Sequence, residues 1–234
     1  MFPRRNPGRV TGFLYLLLLP AALRLVYIPA KLFVTGSPSA TAANIAAHER
    51  LFRLGMVTDL FTGTMVIFVA LAFYRLFKSV NQHLAVLMVI LGALVVAPIY
   101  FMNVLNDVAA LILARGASIL SAFDEPQRDA LVMLFIKLHH HGVLANEIFW
   151  GLWLFPMGML IYRSGFMPRF LGVWLIINGV AYLALSLTGF LLPVYEDTVE
   201  LIALPAQLGE LATMLWLLIK GATPPWDDSE SAPA

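Results

Sequence analysis

The sequence predicts an all-α membrane protein. It reads as a six-transmembrane-helix bundle with both termini cytoplasmic and a short amphipathic helix in the first outer loop. Three observations carry this expectation. Hydrophobic residues make up 60% of the 234 residues and charged residues 12%, against about 45–50% and 25% in soluble domains. Mean hydropathy is +0.83. Six stretches are long and apolar enough to cross a bilayer, which takes about 20 residues. They are residues 10–34, 54–77, 84–114, 130–162, 170–194 and 199–219. Period-2 alternation is absent, which argues against a β-barrel. Residues 1–222 form one transmembrane domain on this reading, and the Pro-, Ser- and Asp-rich residues 223–234 form a disordered cytoplasmic tail.

The first stretch begins like a signal peptide, with basic residues before Phe13–Leu19 and small residues at Ala21 and Ala22. Its apolar character continues to Val34, too long for a signal-peptide core, so it reads as an uncleaved span. In the loop that follows, Ser37-Pro38 is a helix-start signal, a capping side chain followed by the residue favoured at the first helical position. The stretch from Ala40 to Phe52 then reads as a short surface helix. The third and fourth spans are overlong, about 47–50 Å against about 30 Å of hydrocarbon, and must tilt or project. Asp124-Glu125-Pro126 starts the fourth. Pro20, Pro29, Pro98, Pro156 and Pro205 lie inside spans and predict kinks. Gly55, Asp59 and Gly63 form one small-residue stripe, and Gly151, Gly158, Gly172 and Gly179 form two more at heptad spacing. Such stripes let helices approach closely.

Orientation follows from the basic residues of short loops. Arg4, Arg5, Arg9, Arg75, Lys78, Arg163, Arg169 and Lys220 collect on one side. The opposite side mixes Arg50, Arg53, Arg115 and Arg128 with seven acids. The basic side is therefore cytoplasmic, and an even number of spans returns the chain to it.

Several function classes fall away. A net charge of +1 gives no global field for nucleic acid. With no cysteine, disulfides, thiolate metal sites and cysteine nucleophiles are excluded. There is no nucleophile elbow, phosphate loop, dinucleotide fingerprint or HExxH. No convincing 3+3 internal repeat is visible, which counts against a transporter.

Several stretches resemble a bacterial membrane-protein family known as domain of unknown function 4386. They are Thr11-Gly12-Phe13-Leu14-Tyr15, Tyr27-Ile28-Pro29-Ala30-Lys31-Leu32, Leu51-Phe52-Arg53-Leu54-Gly55 and Ile148-Phe149-Trp150-Gly151-Leu152-Trp153-Leu154-Phe155-Pro156. Ser164-Gly165-Phe166-Met167-Pro168-Arg169 and Leu204-Pro205-Ala206-Gln207-Leu208-Gly209-Glu210 complete the set. The resemblance covers about residues 10–220, and the Phe-Trp-Gly-Leu-Trp block is its most specific part. It implies a multi-pass protein of the bacterial cytoplasmic (inner) membrane. No activity is assigned to the family, so no site residue carries over.

Candidate site residues come from the polar positions inside the spans. A charge at mid-bilayer costs about 2.5–3.5 kcal/mol even on lenient scales, so each calls for a partner or a purpose. Counting about 1.5 Å per residue from the cytoplasmic anchors places Arg24 at about 22 Å and Asp59 and Glu147 at about 24 Å. One cation and two acids therefore meet at one level, and Arg24 is expected within ion-pair reach of Asp59 or Glu147. Asp107 and His140 are expected to face one another at the outer interface. Asn103, Asn106 and Asp107 share a helix face. Gln207 and Glu210 share another, with Asn178 as a hydrogen-bond partner for Glu210. These residues outline a polar cavity that opens outward. The inner halves of the spans are nearly free of charge, which argues against a through-pore.

Three functional classes fit. The first is a binding protein whose cavity takes a small polar ligand or lipid headgroup from the outer side, through Arg24, Asp59, Asn103, Asn106, Glu147, Gln207 and Glu210. The second is a metal-dependent intramembrane hydrolase. There a single divalent ion sits on His139 or His140 with Asp107 and with Asp59 or Glu210, and His140, Asp107, Glu147 and Glu210 are the catalytic candidates. Adjacent histidines point about 100° apart, so at most one or two of His139–His141 face one cavity. The third is a structural or assembly subunit in which polar residues serve only helix packing, with the lipid bilayer and a second copy of the chain as partners. No resident cofactor other than that ion is expected.

Overall fold

Prolines and side-chain caps set where several of the helices begin, while α-helix continues through Pro156 and Pro205. The computed structural model describes residues 6–224. Every regular element among them is helical. The chain runs through α1 (Pro7–Leu16), a π-helical turn (Leu23–Tyr27), α2 (Ile28–Leu32), α3 (Pro38–Ala47), α4 (Glu49–Phe77) and α5 (Gln82–Val89). A second π-helical turn (Ile90–Val95), α6 (Val96–Ala114), α7 (Glu125–Ser164), α8 (Arg169–Leu191) and α9 (Glu196–Ile219) follow. Of the tail assigned to residues 223–234, only Thr223 and Pro224 are described. Arg4 and Arg5 of the N-terminal basic group also lie outside the described residues.

The helix starts follow their capping chemistry. The Asn6 side chain accepts a hydrogen bond from Arg9 N at 3.1 Å, with Pro7 next to it. Ser37 caps α3 by accepting from Ala40 N, with Pro38 at the first helical position. Asn81 caps α5 through Leu84 N at 3.0 Å. Asp124 and Gln127 cap α7 reciprocally: Gln127 N donates to Asp124 Oδ1 at 2.8 Å, and Asp124 N donates to Gln127 Oε1 at 3.1 Å.

Among the described residues, five helices are long and apolar enough to cross a membrane: Glu49–Phe77, Gln82–Ala114, Glu125–Ser164, Arg169–Leu191 and Pro193–Ile219. Each overlaps one of the stretches expected from hydropathy. The stretch expected over residues 10–34 is not one continuous helix. Pro20 has no N–H for the Leu16 carbonyl, and residues 17–20 form turns in place of α-helix. There Leu17, Leu18, Ala22 and Leu23 donate to carbonyls three residues back. The π-helical turn follows, closed by Ile28 N donating to Leu23 O. It ends just before Pro29, whose ring likewise removes a helix donor.

The chain divides into two compact units. The first comprises described residues 6–18, 65–96 and 144–224, and the second residues 19–64 and 97–143. α4 and α7 contribute one part to each. The core of the first is built on Phe73, Phe77, Met88, Leu154, Met157 and Leu160, all fully buried. Inside it α7 and α8 touch at glycines: a Cβ on Gly158 would lie 2.5 Å from the Gly172 carbonyl oxygen, and one on Gly151 2.7 Å from that of Gly179. α1 also runs antiparallel to α9 here. Gly8 N donates to Ala222 O at 2.9 Å, and Asn6 Nδ2 donates to Thr223 Oγ1 at 3.0 Å. The core of the second unit gathers Ile28, Leu32, Ile45, Phe52, Val104 and Val132.

Candidate functional site

Arg24 lies in the π-helical turn Leu23–Tyr27, a kind of local widening often found at functional sites. Its side chain is buried. The stem passes α4 at Gly55, where a Cβ would sit 3.0 Å from Arg24 Cδ. The guanidinium lies 5.7 Å from the Phe33 ring centre and 5.9 Å from that of Phe52. Those faces are attractive surroundings for a cation.

The partner of Arg24 is Asp107 on α6. Nε donates to Asp107 Oδ2 at 2.7 Å and Nη2 to Oδ1 at 2.6 Å, a bidentate pair. This corrects the expectation of an ion pair with Asp59 or Glu147. Counting height along a straight helix failed because residues 17–20 form turns and Leu23–Tyr27 a π-helical turn, so the rise departs from about 1.5 Å per residue.

His139 on α7 lies between two carboxylates. Its Nδ1 is 3.2 Å from Asp107 Oδ1 and 3.3 Å from the Asn103 carbonyl oxygen, and its Nε2 is 3.7 Å from Asp59 Oδ2. His139, and not His140, is thus the histidine that meets Asp107. One step along an α-helix turns a side chain by about 100°, so His140 and His141 point elsewhere and are exposed. Asp59 is 1% exposed, yet its Oδ1 has no hydrogen-bond partner. Asn103 is buried and Asn106 half-buried. Gly142 packs against the Asn103 side chain, leaving no room for a Cβ there. Arg24, Asp59, Asp107 and His139 thus form one polar cluster within the second unit. Asp59, Asp107 and His139 offer ligand atoms lying within 4.8 Å of one another.

Beside the cluster is a cavity of about 410 Å³, within the usual range for small-molecule sites. Arg24 and Lys137 bring cationic side chains to its lining and His139 and His140 bring imidazoles; Phe33 and Ile136 are among its apolar walls. Among the described residues no carboxylate lines it.

Glu210 on α9 belongs to the first unit. Tyr15 donates to its Oε1, and Tyr182 and Asn178 donate to its Oε2 at 2.9 and 3.1 Å. The expected Asn178 contact is present. The two tyrosines were not singled out from sequence. Tyr182 stands one helical turn from Asn178, a signal that could have found it. Gln207 is half-buried on the same helix. Glu147 is also half-buried, and its Oε2 has no hydrogen-bond partner.

A family model described as "Domain of unknown function (DUF4386)" matches residues 10–221. The chain is also similar to an uncharacterized protein of Archaeoglobus fulgidus, 38% identical over 74 residues, or 32% of this chain. That match spans 43% of the archaeal protein, so the chain covers less than half of the relative's length. No solved structure matches.

Proposed function

The chain belongs to the family described as domain of unknown function 4386, and for this member we propose a multi-pass inner-membrane protein that binds the anionic head of a small amphiphile from the outer side. The five long apolar helices support the membrane assignment. The broken segment α1–α2 supplies the sixth crossing on this reading. The hydrogen bonds joining the start of α1 to the end of α9 support an even number of crossings, with both termini cytoplasmic. α3, with Thr41, Ala42 and Ile45 buried on one side, is the amphipathic helix of the first outer loop.

The observation that carries the binding reading is the lining of the cavity. Four cationic or imidazole side chains meet apolar walls, and no acid among the described residues lines the space. A lone anion would leave the walls unused, and a pure hydrocarbon would leave Lys137 without a counter-charge. An acidic headgroup with an attached chain uses both. Residues 33–36 border the cavity and lead into the first outer loop, which supports entry from that side.

The test is thermal unfolding of the purified full chain in an uncharged detergent. Dioctanoyl phosphatidylglycerol raises Tm on this reading, and dioctanoyl phosphatidylcholine, with the same tails and a zwitterionic head, does not. Inorganic phosphate distinguishes a free anion from a lipid head. A Lys137→Gln/His140→Gln variant loses most of the response. Equal responses to both lipids, or none to either, would sink the reading.

A further inference from the structure

The polar cluster has one feature that helix locking does not account for. Asp59 is buried to 1% exposure, and its Oδ1 receives no hydrogen bond. If Asp59 served only to hold helices together, both oxygens would have donors, since a buried unsatisfied group is costly. The hydrogen bonds of the Arg24 guanidinium go to Asp107 instead.

We propose that Asp59 and His139 bind a divalent transition-metal ion, with Asp107 orienting the imidazole. The ion sits between Asp59 and His139 Nε2. The 3.7 Å from Nε2 to Asp59 Oδ2 is spanned by two bonds of about 2.0–2.2 Å meeting at an open angle. The partnerless Oδ1 of Asp59 makes that carboxylate bidentate, so the chain supplies three donor atoms. His139 Nδ1 faces Asp107 Oδ1 at 3.2 Å and the Asn103 carbonyl oxygen at 3.3 Å. A metal-bound histidine usually donates its other N–H to such a partner. Arg24 fixes that carboxylate and cancels its charge.

Charge counting agrees. Arg24 neutralises Asp107, leaving one carboxylate, Asp59, for a dication. One further negative charge restores neutrality. His139 also lines the cavity, so hydroxide or an acidic headgroup reaches the open coordination positions from there. That last ligand rests on the binding reading above; the ion itself does not. A set of two oxygens and one imidazole nitrogen suits zinc, manganese or iron(II) better than a soft ion. His140 is outside the set.

The experiment uses the full chain in uncharged detergent, purified without chelator, and measures bound zinc, manganese and iron by elemental analysis. Apo protein is then titrated with Zn²⁺ and Mn²⁺. One ion per chain is expected. Asp59→Asn and His139→Gln weaken binding more than about 100-fold, and Asp107→Asn weakens it about 10- to 100-fold, as a lost orienting partner does. A His140→Ala/His141→Ala variant keeps the ion. The visible spectrum of the Co²⁺-loaded wild type reports nitrogen and oxygen ligation without relying on any variant. Wild type that neither retains nor takes up zinc or manganese overturns the proposal, as does an ion lost only with His140 and His141. Lipid titrations repeated with EDTA separate the two readings. An anionic-lipid response without any metal uptake ends the metal site alone. Metal uptake without a lipid response ends the binding reading alone.

Discussion

Arg24 and Asp107 join the broken first segment to α6 through two parallel hydrogen bonds of 2.7 and 2.6 Å, with both side chains buried. The pair fixes the guanidinium where it borders the cavity and the carboxylate where it meets His139. Both charges are out of water, so the value of each depends on the other.

That dependence gives the first prediction. Removing one partner of a buried pair costs about 3–5 kcal/mol, because the other charge stays buried and unpaired. Arg24→Met and Asp107→Leu should each lower stability by about that amount. The Arg24→Met/Asp107→Leu double variant should be more stable than either single one. Thermal or denaturant unfolding in detergent gives the cycle. Additive losses would mean the charges find separate partners.

The Glu210 site makes a second, independent prediction within the first unit. Three donors converge on one carboxyl group, and leaving a buried acceptor without its partner costs about 1–3 kcal/mol. Tyr15→Phe and Tyr182→Phe should each destabilise by an amount in that range and shift the Glu210 carboxyl bands in the infrared difference spectrum. Glu210→Gln, which keeps the shape and one acceptor, should cost less than Glu210→Ala. Unchanged bands in both tyrosine variants would show that the phenols do not bond the acid.

Much of the fold was legible because hydropathy and capping chemistry are local. Asp124-Glu125-Pro126 announced the start of α7, and Ser37-Pro38 that of α3. The break in the first segment was only half legible. Pro20 marked a kink, but the turns at 17–20 depend on which carbonyls find donors. The site suffered most from this. Its members were named from sequence, but Arg24 was matched to Asp59 and Glu147 by a height count that assumes unbroken helices. Choosing His139 over His140 needs the rotation of α7 about its axis. That rotation is set by contacts such as Gly142 against Asn103, which no pattern within one helix encodes.

The α7–α8 contact supplies a third prediction. At Gly158 a Cβ would meet the Gly172 carbonyl oxygen at 2.5 Å, and backbone cannot swing aside as a side-chain tip can. Gly158→Ala should therefore cost about 1–3 kcal/mol from overpacking. Gly165 offers the contrast. Nothing lies within 4 Å of its Cβ position, but its φ of +73° is in the left-handed region. Gly165→Asn should be tolerated better than Gly165→Val, since asparagine enters that region more readily. Unfolding of the three variants in detergent checks both parts.

The last prediction concerns the broken segment, on which the number of crossings turns. A segment with turns at 17–20 and a π-helical stretch after them crosses only if its freed carbonyls are satisfied within the protein. The i−3 bonds at Leu17, Leu18, Ala22 and Leu23 satisfy several of them. If it crosses, Ser39 lies on the opposite face of the membrane from the N-terminus; if it folds back, both lie on one face. The chain has no cysteine, so single cysteines report without background. Ser39→Cys, Ser121→Cys and Asp197→Cys, all at exposed positions, should react with a membrane-impermeant maleimide from outside intact cells. Ser79→Cys should react only after lysis, and an N-terminal tag should share that protection. Protection of Ser39→Cys alongside a protected N-terminal tag would reduce the crossings to five and move the α1–α2 segment into a re-entrant role.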